Sequence, residues 1–125
     1  MMRRVLIAGT LLALPWAAVA HELAKGPNGG PLVDSGGHHV EMVATGTELV
    51  LFLSDEADKP LASAGTKNPR AVVQDAGKTQ TVALQPAAPN KLVGTLAQPL
   101  GKGARVVVSV TMADGRAVQA RFVNN

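Results

Sequence analysis

Apolar and polar residues alternate in short runs along most of this chain, from residue 38 to its end. A period of two places successive side chains on opposite faces, which is the pattern of half-buried β-strands. Turn residues separate the runs, and Asp114-Gly115 is a strong signal for a tight hairpin turn. The pattern predicts about seven strands, at 38–44, 48–53, 71–75, 78–84, 90–96, 104–112 and 116–123.

These strands predict an all-β protein in which residues 38–125 form a single antiparallel β-sandwich of Ig-like type. No long apolar stripe with a 3.6-residue period follows residue 20, so we expect little helix. For residues 60–70 a loop, an edge strand and a single helical turn all remain open. The inward faces predict a core that includes Val40, Leu49, Leu51, Val106, Val108, Val110 and Phe122.

The first twenty residues have the features of a cleaved secretory signal peptide. A positive Met-Met-Arg-Arg start precedes an apolar run, and Ala18 and Ala20 are small residues of the kind found at signal-peptidase sites. The apolar run from Val5 to Ala20 is shorter than the ~18–20 residues that a membrane-spanning helix needs. We expect cleavage after Ala20 and no membrane insertion afterwards, with an uncleaved anchor as the alternative.

The next segment, 21–37, has little periodicity and is rich in glycine and proline. Both residues interrupt regular structure. We therefore predict a flexible N-terminal arm at 21–37, between the signal peptide at 1–20 and the sandwich domain at 38–125.

Charge and composition argue against several classes of partner. Two of the twelve basic residues, Arg3 and Arg4, lie in the predicted signal, which leaves ten against nine acidic residues. These charges are scattered singly, so we expect neither a nucleic-acid surface nor an anionic-lipid surface. Phe52 and Phe122 are the only aromatic residues after residue 20, too few for base stacking.

Two of the three histidines lie in the sequence Gly-Gly-His-His-Val-Glu-Met. On a strand, His38 shares the apolar face of Val40 and Met42. His39 and Glu41 then point outward to solvent together, roughly 7 Å apart. Such side chains can converge on one metal ion, so His38, His39 and Glu41 are candidate ligands. The competing interpretation is the exposed start of an ordinary strand.

The third histidine, His21, becomes the N-terminal residue if the signal is cleaved after Ala20. Its α-amine and imidazole can then chelate one ion, and a second imidazole would complete a nitrogen set suited to Cu(II). Zinc, nickel and cobalt are alternatives. Because metal ligands must be deprotonated, binding should weaken as the pH falls through the histidine range, near ~6.5 for an unperturbed imidazole.

Sulfur ligands are scarce in this chain. It has no cysteine, so it forms no disulfide and offers no thiolate for a dedicated Cu(I) site. Met42 and Met112, the two methionines after residue 20, fall on apolar faces. We predict that both pack in the core, with a thioether copper ligand as the alternative.

Longer segments carry a resemblance to a known group of proteins. Asn-Gly-Gly-Pro-Leu, Ser-Gly-Gly-His-His-Val-Glu-Met-Val and Leu-Val-Leu-Phe-Leu-Ser-Asp are among them, and the resemblance covers nearly all of the chain after residue 20. The chain resembles small bacterial periplasmic proteins associated with heavy-metal efflux systems of the resistance-nodulation-division type, and segments of the adaptor subunits of those pumps. The resemblance implies a periplasmic β-sandwich linked to copper, zinc, cobalt or cadmium. Members often carry histidine where this chain has Asn28.

Together these features predict a periplasmic transition-metal-binding protein, with copper favoured, that acts in metal resistance or delivery to an efflux system. The alternative is a structural or adaptor sandwich that docks on an efflux complex, such as its adaptor subunit, without binding metal. An enzyme is not expected. Ser35 and His38 lie in a glycine-rich turn, and the carboxylates at 54–59 have no histidine near them in sequence.

Overall fold

The computed structural model of the protein describes residues 21–125, and the predicted signal peptide lies outside them. These residues form two antiparallel sheets, called here sheet A and sheet B. Sheet A contains β1 (His21–Lys25), β2 (Pro31–Ser35), β3 (His38–Thr45), β4 (Glu48–Asp55), β7 (Gln85–Ala87) and β8 (Lys91–Thr95). Sheet B contains β5 (Lys67–Asp75), β6 (Lys78–Ala83), β9 (Arg105–Thr111) and β10 (Ala117–Val123).

The predicted all-β sandwich is confirmed, and all seven predicted strands are present. They are divided three to four: β3, β4 and β8 are adjacent in sheet A, while β10, β9, β5 and β6 make up sheet B in that order. A seven-stranded Ig-type sandwich has the same division. No helix long and apolar enough to cross a membrane occurs in residues 21–125.

Two predictions, the number of strands and the arm at 21–37, do not match the structure. The strand number is ten rather than about seven, because β1, β2 and β7 extend sheet A at its two edges. The segment 21–37 is not an irregular arm, because β1 pairs with β2 and β2 pairs with β3. Its glycines make turns: Gly36 and Gly37 both have positive φ, at 59° and 89°, as the two-residue turn between β2 and β3 requires.

The core lies between the two sheets and consists of the inward-facing residues of both. Every residue predicted for the core is buried there, and so are Met42 and Met112, which confirms the packing interpretation of the methionines. Phe52 lies on the outer face of sheet A and is half-buried, with the Lys91 ammonium 5.9 Å from its ring centroid. The inner faces are apolar because Val, Leu, Ala, Met and Phe occupy alternate positions in the central parts of the strands.

The segment 60–70, for which the sequence allowed several structures, divides into three parts. Pro60 bridges to Ser54, residues 61–66 are irregular, and β5 begins at Lys67. The pairing of β5 with β9 shifts register between Lys67 and Arg70, where Asn68 has a positive φ of 51°. A loop followed by a bulged strand is therefore the alternative that the structure supports.

Candidate functional site

One row of residues crosses the first strands of sheet A. His21 on β1 pairs with Asp34 on β2, and Asp34 pairs with His39 on β3. Neighbouring strands lie about 4.8 Å apart, so the backbone positions of the two histidines are about 10 Å apart. The β1–β2 hairpin, which the sequence did not predict, therefore brings His21 back beside the strand that holds the histidine pair.

His39 is held by a carboxylate from a different part of the chain. Its Nδ1 lies 3.0 Å from Oδ1 of Asp58, in the loop that follows β4. The His39 side chain is only 11% exposed, whereas that of Asp58 is 64% exposed. With its proton on Nδ1, the imidazole donates to Asp58 and its Nε2 keeps a lone pair. Histidines that bind metals usually donate their second ring N–H to a carboxylate, a backbone carbonyl or water.

The loop that presents Asp58 is ordered by hydrogen bonds from its backbone N–H groups to the carboxylate and the carbonyl of Asp55. Asp55 accepts from the N–H groups of Ala57 and Lys59 at 2.8 and 2.9 Å, and the N–H of Asp58 donates to the Asp55 carbonyl at 2.9 Å. The Lys59 N–H is the main reason why the pKa of Asp55 lies below its ordinary value of 3.8. Desolvation opposes this shift, and the Ala57 N–H and the charge of Lys59 add to it.

Glu41 is not exposed, and the prediction that it points outward to solvent with His39 is wrong. It is on the predicted outer face, but the turn at 26–30 covers it and leaves it 1% exposed. The Asn28 backbone and side-chain N–H groups donate to its carboxylate at 2.9 and 3.0 Å, and Gly30 N–H donates at 2.8 Å. Both oxygens are therefore engaged within the protein. A Cβ on Gly26 would overlap the same carboxylate, so this turn needs glycine there.

His38 lies apart from His39, because adjacent residues of a strand point to opposite faces. It is half-buried and lines a depression of about 240 Å³ together with Leu61, Met112 and Asp114. The structure therefore does not bring His38, His39 and Glu41 together as one ligand set.

Within the described residues, no group of three or more His, Cys, Asp or Glu side chains is placed to hold a metal ion. The arrangement instead places His39, with Asp58 behind it, in line with Asp34 and the backbone of His21. Sequence reasoning missed Asp34 and Asp58. Pairing residues 38–45 with 48–55 as a hairpin would have revealed Asp58. This register places His39 opposite Ser54, so the acidic loop that follows β4 lies beside His39.

The sequence matches no protein-family model and no curated protein. Among solved structures, the archaellum periplasmic stator protein FlaG from Sulfolobus acidocaldarius is similar to part of the chain. The two are 17% identical, with a TM-score of 0.37, over 66% of this chain and 99% of FlaG. A likeness at this level does not extend to function.

Proposed function

We propose that this protein is exported to the periplasm and binds one transition-metal ion there, most favourably Cu(II), for metal resistance or delivery to an efflux system. The observation that supports this function is the hydrogen bond between His39 Nδ1 and Asp58 Oδ1. It orients the imidazole and leaves Nε2 as the nitrogen that can bind a metal. Zinc, nickel and cobalt are the alternative ions, since imidazole suits all of them.

The remaining ligands come from the same row of sheet A. The imidazole of His21 and, after cleavage at Ala20, its α-amine would add two nitrogens to that of His39. Asp34 lies between them in register and accepts a hydrogen bond from Gly37 N–H through Oδ1, at 3.1 Å. Its other oxygen would supply a hard ligand. A set of three nitrogens and one oxygen favours copper in the intrinsic affinity order of divalent ions.

Glu41, a predicted metal ligand, is a structural residue in this proposal. Its carboxylate holds the turn that joins β1 to β2, so it fixes the hairpin on which His21 lies. It would act as a positioning residue for the ligand row and would not contact the ion.

A comparison of two histidine variants tests the proposal. Isothermal titration with Cu(II) and Zn(II) is carried out on the exported protein, whose mass should correspond to a start at His21. His39→Ala should weaken Cu(II) binding by about 100-fold, because a ligand is lost. His38→Ala is the matched control, and it should leave the affinity unchanged. If His39→Ala binds copper as tightly as the parent, His39 is not a ligand and the proposed site is wrong. If the parent itself does not bind Cu(II), the protein is better described as an adaptor sandwich that does not bind metal.

A second test concerns the N-terminal amine. A variant with four additional residues before His21 keeps the imidazole but moves the amine out of chelating range of it. It should bind Cu(II) more weakly than the parent and Zn(II) about equally, because the amine–imidazole chelate favours copper. Equal copper affinity in both proteins would show that the amine is not a ligand.

A further inference from the structure

The fold sorts charges that are scattered along the sequence. The strands of sheet B carry five basic residues and one acidic residue, a net charge of +4. The strands of sheet A carry two basic and five acidic residues, a net charge of −3. The basic residues of sheet B are Lys67, Arg70, Lys78, Arg105 and Arg121, and its acidic residue is Asp75.

Three of these basic residues are arginines that lie close together on the outer face of sheet B. Arg121 pairs with Val107, Arg105 lies two residues before Val107, and Arg70 pairs with Ser109, two residues after it. From the spacing of strands and residues, each arginine Cα is about 5 to 8 Å from that of Val107. The three arginines therefore surround one half-buried valine.

These arginines have no acidic partner in the part of the chain that the structure describes, where the salt bridges are His39–Asp58 and Arg116–Asp114. All three are exposed. Arg70 donates to the Asn68 carbonyl at 3.1 Å, and Arg121 donates to Gln119 Oε1 at 3.3 Å. Exposed guanidinium groups without a charged partner remain available for a carboxylate, which they bind through two parallel hydrogen bonds.

Around the arginines, this face carries uncharged polar residues and several valines, of which Val123 is 43% exposed. Gln74 and Gln119 are exposed beside the arginines, and Thr81 is exposed on the neighbouring strand β6. No Asp or Glu occurs at the outward positions of the four strands. A depression of about 240 Å³ is lined by Arg105, Arg121 and Gln74, among others. The face thus combines positive charge, hydrogen-bonding side chains and a small apolar centre, as protein–protein interfaces do.

We propose that the outer face of sheet B docks an acidic protein partner whose carboxylates pair with Arg70, Arg105 and Arg121. Charge complementarity identifies the partner as acidic, and arginine is the basic residue enriched at protein interfaces. Nucleic acid fits less well because the described aromatic residues lie elsewhere: Phe122 points into the core and Phe52 is on sheet A. A lipid surface fits less well because the face presents polar amides beside its charges.

The test measures binding of a fluorescein-labelled glutamate-rich peptide by fluorescence anisotropy at low and physiological ionic strength. The variant Arg70→Gln/Arg105→Gln/Arg121→Gln should bind about tenfold more weakly than the parent, since the charge contacts are lost. Lys25→Gln/Lys59→Gln/Lys91→Gln is the matched control, because it removes the same charge from sheet A and the loop that follows β4. It should retain most of the affinity.

Several outcomes would overturn this docking face. An equal loss of peptide affinity in the two triple variants would mean that the net charge of the protein alone determines binding. Tighter binding to phosphatidylcholine/phosphatidylglycerol vesicles than to the peptide would identify a membrane surface. Self-association in sedimentation experiments that the arginine variant abolishes would identify a second copy as the occupant.

If the triple arginine variant does not fold, Arg121→Gln at the edge of sheet B gives the same comparison, with an expected loss of affinity of about threefold. The docking face does not depend on metal binding, so the arginine variant should titrate copper like the parent.

Discussion

Replacing Glu41 by glutamine should destabilise the fold far more than the same substitution at an exposed glutamate. The carboxylate is 1% exposed and accepts from three N–H groups, two on Asn28 and one on Gly30. Glutamine keeps one acceptor oxygen but turns an NH₂ group toward donors. At least one donor then has no acceptor in a place that water does not reach.

The size of the effect can be estimated from these contacts. A hydrogen bond to a charged group contributes about 1.5–3 kcal/mol, and a buried donor without a partner costs about 1–3 kcal/mol. We therefore expect Glu41→Gln to lower the free energy of unfolding by about 3 kcal/mol. In a domain of this size, that loss corresponds to a fall in Tm of roughly 10–20 °C.

The assay is urea unfolding followed by circular dichroism, in metal-free buffer. Glu48→Gln is the matched control, because Glu48 is an exposed glutamate at the start of the adjacent strand β4. It should change stability by less than about 0.5 kcal/mol. Hydrogen exchange should show faster exchange at Asn28 and Gly30 in Glu41→Gln alone. If the two variants unfold at the same urea concentration, the carboxylate does not hold the hairpin turn and our account of Glu41 is wrong.

Three further predictions concern the loop after β4 and the packing between the sheets. Asp58→Asn should weaken Cu(II) binding by about 10–100-fold through loss of the orienting carboxylate, measured by titration, while unfolding in metal-free buffer changes little. Gly94→Ala should lower stability by about 1–3 kcal/mol in urea unfolding, because its Cβ would lie 2.7 Å from Leu84 Cδ2 and 2.8 Å from Val82 Cγ1. The lowered pKa of Asp55 stabilises the folded state above the ordinary value of 3.8, and this contribution is lost as the pH falls through the folded-state pKa. The Tm difference between the parent and Asp55→Asn should therefore be full at neutral pH and shrink below about pH 4, and a difference independent of pH would contradict this.

Local pattern was enough to predict the seven central strands, the turn at Asp114-Gly115 and the core. Alternation with a period of two depends only on neighbouring residues, and it states which side chains share a face. For the same reason it placed Val40 and Met42 correctly in the core. It failed at β2 because that strand has only two buried apolar residues, Leu32 and Val33, between glycine-rich turns.

The tertiary structure decided what covers each face and which distant residues meet. Glu41 is on the predicted face, but a turn eleven or more residues earlier buries it. His39 obtains its carboxylate from Asp58, nineteen residues away, although the acidic loop has no histidine near it in sequence. Charges that are scattered along the chain become a basic sheet and an acidic one, because strands that are distant in sequence are neighbours in a sheet. Periodicity carries no information about such contacts, since they depend on the order in which the strands pair.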